Sequence, residues 1–75
     1  MLSKEIRVVV VDDEPLARER LRRLLETEPD VRVLAECAGG RSAVQEVLAH
    51  RPDVLLLDVH MPGLDGFGVL RELRT

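Results

Sequence analysis

Asp12, Asp13 and Asp58 are the residues of this chain best placed to do chemistry. Val8-Val9-Val10-Val11 runs directly into Asp12-Asp13-Glu14-Pro15, and Val54-Leu55-Leu56-Leu57 runs directly into Asp58. Two apolar segments of the kind that form buried strands therefore each end at a carboxylate. In an open parallel α/β sheet, ligands bind outside the carboxyl ends of the strands, so neighbouring strands would bring the three acids together. Two carboxylates about 5 Å apart at an effective dielectric near 20 repel by roughly 3 kcal/mol, and three such pairs by something on the order of 10 kcal/mol before screening. Such a cluster must protonate a member or take up a cation. A divalent metal is the expectation. The donors are all hard oxygens with no cysteine or imidazole cluster beside them, which favours Mg²⁺, Mn²⁺ or Ca²⁺ over zinc. A carboxylate held against such an ion can also act as a nucleophile toward phosphorus, giving an aspartyl phosphate. An Asp that follows a strand is ordinarily a helix cap or turn former. That reading accounts for one such end more readily than for two, one of them a doublet.

The elements that must position these acids follow from periodicity. Ile6 to Val11 is apolar without alternation, as in a strand covered on both faces. Pro15 suits a first helical turn, with Asp13 and Glu14 at the positive end of the helix dipole. Ala17, Leu21, Leu24 and Leu25 then recur at helical spacing to about Glu26, and Glu28-Pro29-Asp30 ends the helix. Val31, Val33, Ala35 and Cys37 alternate with Arg32, Leu34 and Glu36, a half-polar pattern that predicts an edge strand. Gly39-Gly40 breaks the chain. A second helix opens at Arg41 or Ser42, with Val44, Val47 and Leu48 as its buried stripe, and stops before Pro52. Val54 to Asp58 is a third strand, again continuously apolar and so expected to be central. Met61-Pro62-Gly63-Leu64-Asp65-Gly66 is dense in turn residues. A third helix begins near Phe67, with Val69, Leu70 and Leu73 inward. The order βαβαβα predicts a parallel α/β sheet.

The chain of 75 residues is of a size for one small domain, and its 45% hydrophobic and 33% charged residues are those of a globular protein. No apolar run approaches the roughly 20 residues needed to span a bilayer, and the N-terminus lacks a signal-peptide pattern, so no membrane contact is expected. A lone Cys37 fits a reducing, cytoplasmic setting. The net charge of −3 argues against nucleic-acid contact by this segment. Its basic concentration, Arg18, Arg20, Arg22 and Arg23, is interleaved with Glu19 and Glu26 and reads as a solvated helix face.

Val10-Val11-Asp12-Asp13-Glu14-Pro15, with Asp58-Val59-His60-Met61-Pro62-Gly63-Leu64-Asp65-Gly66 following downstream, resembles the receiver domain of two-component response regulators. The stretch Glu14 to Arg22 looks especially like receivers attached to LytTR-type DNA-binding domains. The resemblance implies a flavodoxin-like receiver fold, of which residues 1–75 would be the first three βα units with strand order 2-1-3. It implies Asp58 as the phosphoacceptor for a sensor histidine kinase, in a protein whose output is transcription. It also implies Mg²⁺ held directly by Asp13 and Asp58, by Asp12 mainly through water, and by the main-chain carbonyl of His60.

Complete receivers have strand order 2-1-3-4-5. The Ser or Thr of their fourth strand and the Lys of their fifth are not matched here, since Lys4 lies at the wrong end of the first strand. An inert module that only folds or dimerises is therefore the alternative to phosphoryl acceptance. A metal-dependent phosphatase would carry a second acid two residues after its nucleophile. Glu14 stands in that relation to Asp12, but Asp13-Glu14-Pro15 suits the receiver better, and no enzyme activity is expected. With order 2-1-3 the apolar third strand is an open edge, which predicts self-association through it. Cys37 is expected to pack in the core. His50 suits a helix C-terminus. Gly39-Gly40 lacks the following Gly-Lys-Ser/Thr of a phosphate loop.

Overall fold

Four consecutive valines set the architecture, because a strand that is apolar on both faces must be covered on both. Val8, Val9, Val10 and Val11 are all at most 2% exposed and form the last four residues of β1 (Ile6–Val11). The computed structural model describes residues 5–58 and 66–73, leaving aside the side chains of Phe67 and Leu70. These residues form α1 (Pro15–Glu26), β2 (Val31–Cys37), α2 (Gly40–His50), β3 (Val54–Leu57) and α3 (Gly66–Leu73) after β1. The strands make a parallel sheet, as the element order predicts, in the order β2-β1-β3 that the resemblance to receivers implies.

Side chains alternate between the faces of a strand. Val9 and Val11 face a cluster completed by Cys37, by Ala43 of α2 and by Val69 of α3, with Leu55, Leu57 and Leu73 packed against it. Val8 and Val10 face the other way, toward α1, which packs on β1 and β2. Pro15 opens α1, and Glu14 caps it by accepting from the Leu16 N–H at 3.2 Å. Ala17, Leu21 and Leu25 are half-buried, but Leu24 is 61% exposed and stands outside the stripe expected of it.

β2 departs from the simple alternation. Val33 pairs with Val8, and the next pair is Ala35 with Val9, so Leu34 is an extra residue on β2. Such a bulge puts two residues of one strand opposite one of the other. Val8 and Val9 face opposite ways, so Val33 belongs to the α1 face and Ala35 to the α2 face, not to one common face. Leu34 and Ala35 both pack against the cluster around Val9.

In α2 the fully buried side chain is Ala43, at 0% exposure, where Leu48 was expected. Leu48 is 54% exposed, while Val44 and Val47 do pack inward. The helix starts at Gly40 and ends on Arg51, which takes the left-handed conformation at φ 48°. The Arg7 guanidinium closes that end, donating to the carbonyls of His50 at 2.6 Å and Arg51 at 3.0 Å. β3, read from its apolar run as a central strand, instead lies at the edge of the described sheet, with Val54 39% exposed. No helix among the described residues is long and apolar enough to cross a membrane.

Candidate functional site

Because β1 and β3 are hydrogen-bonded neighbours running in the same direction, the residues that follow them emerge side by side. Val11 pairs with Leu57, and the Asp58 N–H extends the ladder by donating to the Val11 carbonyl at 3.0 Å. On the other side, the Asp12 N–H donates to the Cys37 carbonyl at 3.0 Å. Asp12 and Asp58 are thus fixed by the sheet. Asp13 is one residue further, in the turn that leads into α1.

Each of Asp12, Asp13 and Asp58 offers a carboxylate oxygen, and these atoms all lie within 4.8 Å of one another. Asp12 and Asp58 are half-buried and Asp13 is exposed. Each pair at that separation repels by about 3 kcal/mol at an effective dielectric near 20, less where water reaches Asp13. Part of this is offset locally. Glu14 is the cap of α1, so Asp12 and Asp13 sit just before the positive end of its dipole. Asp12 Oδ1 also accepts the Glu14 N–H at 2.9 Å. The donor set, three carboxylates opening to solvent on one side, has the chemistry of a site for a hard divalent cation.

The three acids singled out by sequence come together. His60, whose main-chain carbonyl was expected to complete the ligand set, lies outside the described residues, as do Met61 to Asp65. Gly66 is the first residue of α3. Cys37 is 3% exposed in the core cluster beneath the site, and burial pushes its thiol pKa up, partly opposed by a hydrogen bond with Ser42. His50 lies in the last turn of α2, as expected, with its Nε2 3.0 Å from Glu46 Oε1 one turn earlier.

Sequence reasoning missed Arg18. It was grouped with the solvated arginines of α1, and that holds for Arg20 and Arg23, which are exposed, Arg23 with Glu19 at 3.0 Å. Arg18 is half-buried and donates to the Asp12 carbonyl at 2.8 Å. The available signal was its helical position, which sends a long side chain back toward the N-terminal turn.

Residues 8–75 match the family described as response regulator receiver domain. The transcriptional regulatory protein BtsR of Salmonella typhimurium is 51% identical over 68 residues, 91% of this chain and 28% of that protein. A protein-glutamate methylesterase/protein-glutamine glutaminase of Symbiobacterium thermophilum is 43% identical over 96% of this chain and 20% of its own length. Among solved structures, the signal receiver domain of the response regulator NarL from Mycobacterium tuberculosis superposes with a TM-score of 0.90 at 45% identity, covering 95% of this chain and 57% of that one. CheY in the CheX–CheY–BeF₃–Mg²⁺ complex from Borrelia burgdorferi gives a TM-score of 0.83 at 26% identity, covering 93% of this chain and 53% of that one. The chain thus spans between a fifth and three tenths of the curated relatives and about half of the solved chains.

Proposed function

Since the chain belongs to the response regulator receiver domain family and has its flavodoxin-like fold, we propose that it receives a phosphoryl group on Asp58 from a sensor histidine kinase. The observation that carries this reading is the convergence of Asp12, Asp13 and Asp58 within 4.8 Å at the carboxyl ends of two adjacent strands.

In this reading residues 1–75 are the first three βα units of a receiver. Asp13 and Asp58 would hold Mg²⁺ directly, with the His60 main-chain carbonyl, and Asp12 would act mainly through water. Two features support the division. Asp12 Oδ1 is already occupied by the Glu14 N–H, and Asp13 stands furthest into solvent. The Mg²⁺ named with the similar CheY supports the choice of metal. When bound, the ion supplies positive charge beside the phosphoryl oxygens. Asp58 supplies the nucleophile. One carboxylate oxygen forms the bond to phosphorus as the bond from phosphorus to the kinase histidine nitrogen breaks, and that nitrogen keeps the electron pair. Asp58 is fixed for this by its main-chain bond to Val11.

This reading assigns the chain no turnover of its own. The methylesterase name belongs to a relative of which the chain matches a fifth. For the whole protein we favour transcriptional regulation in the cytoplasm, because the regulator BtsR is the more similar of the two, at 51% against 43% identity. The names of these relatives do not carry the LytTR type that the first helix resembles. The net charge of −3 supports an output that contacts nucleic acid, if at all, through other residues. Self-association through β3 draws support from the exposure of Val54 on that edge, and light scattering at high concentration checks it.

The test is intact mass after incubation with Mg²⁺ and a small-molecule phosphodonor. We expect one phosphoryl group on the protein, lost in Asp58→Asn and lost without the metal. Phosphorylation that survives Asp58→Asn would overturn the assignment.

A further inference from the structure

We propose that Arg18 is a positioning residue that sets the orientation of both Asp12 and Asp13 for a divalent cation, a role that rests on the metal site proposed above.

Asp12 is held at three points. Its N–H donates to the Cys37 carbonyl at 3.0 Å, its Oδ1 accepts the Glu14 N–H at 2.9 Å, and its carbonyl accepts from Arg18 Nη1 at 2.8 Å. The first contact belongs to the sheet and the second to the turn. The third comes from a side chain on the first half of α1 and is part-buried. That carbonyl belongs to the peptide group joining Asp12 to Asp13, which is planar. Holding it fixes the direction in which Asp12 leaves the sheet and the plane from which Asp13 starts. One guanidinium therefore governs the aim of two of the three acids.

The placement of Arg18 runs against local electrostatics. A cation near the N-terminus of a helix meets the positive end of the dipole, where acidic residues are favoured. Further along α1 the arginines pair with acids, Arg22 with Glu26 at 2.9 Å and Glu36 at 3.3 Å, and Arg23 with Glu19 at 3.0 Å. Arg18 instead turns back over the β1–α1 turn, also approaching Cys37 closely enough to lower its thiol pKa against the dominant effect of burial. An arginine fits this task because its planar fork directs its donors, whereas lysine offers a mobile point charge.

The charge of Arg18 and its geometry act on a bound cation with opposite signs. By charge alone, removing the guanidinium would tighten a divalent ion. By positioning, removing it weakens the ion, because Asp12 and Asp13 lose their fixed aim. Groups that orient metal ligands typically change affinity by about 10- to 100-fold when mutated.

Calorimetric titration of the 75-residue protein with Mg²⁺ decides between them, with thermal melts recorded in the absence of metal. Arg18→Met keeps the apolar stem without charge or donors, and Arg18→Lys keeps the charge without the fork. We expect Arg18→Met to weaken Mg²⁺ by about tenfold with little change in the metal-free melt, and Arg18→Lys to fall between it and the parent. Unchanged or tighter binding in Arg18→Met overturns the proposal, as does a loss that tracks unfolding alone. Should Arg18→Met not fold, Arg18→Lys decides by itself: parental affinity overturns the role and weakened affinity in a folded protein upholds it. Absence of Mg²⁺ binding by the parent protein would instead remove the metal site, and the role with it.

Discussion

Arg7 and Asp53 exchange hydrogen bonds at the end of the sheet remote from the acids. The Arg7 N–H donates to Asp53 Oδ2 at 2.8 Å, and the Asp53 N–H donates to the Arg7 carbonyl at 2.8 Å. The side chain of Arg7 continues from there to the carbonyls at the end of α2. β1, β3 and α2 are thus tied at one point, and the start of β3 is set relative to β1 well before Asp58.

Asp53→Ala should lower stability by about 1 kcal/mol through loss of the acceptor for the Arg7 N–H. In a domain of this size that is a drop of roughly 4–8 °C in melting temperature. Asp53→Asn keeps an acceptor oxygen and should recover most of it. Circular dichroism melts check both variants, and equal melts for Asp53→Ala and parent would contradict the claim.

The inward face of α2 can be tested by exchanging expectations. Ala43 is fully buried, so Ala43→Leu should overpack the cluster with Val9, Val11 and Val69 and cost about 1–3 kcal/mol. Leu48 is 54% exposed, and Leu48→Ser should stay within about 0.5 kcal/mol of the parent. Urea unfolding measures the two. The reverse ranking would restore Leu48 to the stripe.

Arg51 is the one described non-glycine residue with positive φ, at 48°, and closes α2 at its C-cap. Arg51→Gly removes the strain of a Cβ there but adds freedom to the unfolded chain. The contact that Arg51 makes with Arg7 is through its carbonyl, so glycine keeps it. A net gain of about 0.5 kcal/mol is expected by urea unfolding.

Cys37 makes stability depend on pH in the alkaline range. Burial raises its thiol pKa in the folded protein above that of the unfolded chain. Between the two values the unfolded chain has lost the proton and the folded one has kept it. The stabilisation is therefore complete below the unfolded value of about 8.5 and is lost as pH rises through the folded value. Unfolding free energies measured from pH 7.5 to 10 should fall in the parent and fall less steeply in Cys37→Ala. Parallel profiles would show that the thiol is not responsible.

The order of elements, the parallel sheet and the placing of Asp12, Asp13 and Asp58 at strand ends were legible in the chain because each depends on composition along a single segment. The meeting of the three acids instead needs β1 and β3 to be neighbours, which the receiver resemblance supplied. An unbroken valine run marks a buried strand wherever it lies, and an acid after such a strand lies at its carboxyl end. Features that depend on pairing between segments were not legible. Val31, Val33, Ala35 and Cys37 read as one face, and only the pairing with β1 reveals that Leu34 divides them. Ala43 was passed over in favour of Leu48 because periodicity weighs hydrophobicity, whereas close packing of a helix on a sheet selects for small size. Arg18 was hidden by its neighbours, since a cluster of like charges says nothing of which member folds back.

The extra residue at Leu34 also bears on how this segment tolerates change at the level of the gene. Upstream of it Ile6, Arg7 and Val8 pair with Val31, Arg32 and Val33, and downstream Val9, Val10 and Val11 pair with Ala35, Glu36 and Cys37. An in-frame loss of the Leu34 codon would leave every one of these partners opposite its mate, including the Cys37 carbonyl on which Asp12 hangs. The same deletion one turn of pleat away, at Val33 or Ala35, would force a different residue into a vacated pairing position. Within β2, Leu34 is thus the residue whose loss leaves the pairing intact, at the cost of its own packing against the Val9 cluster, and it lies upstream of the contact that anchors the site.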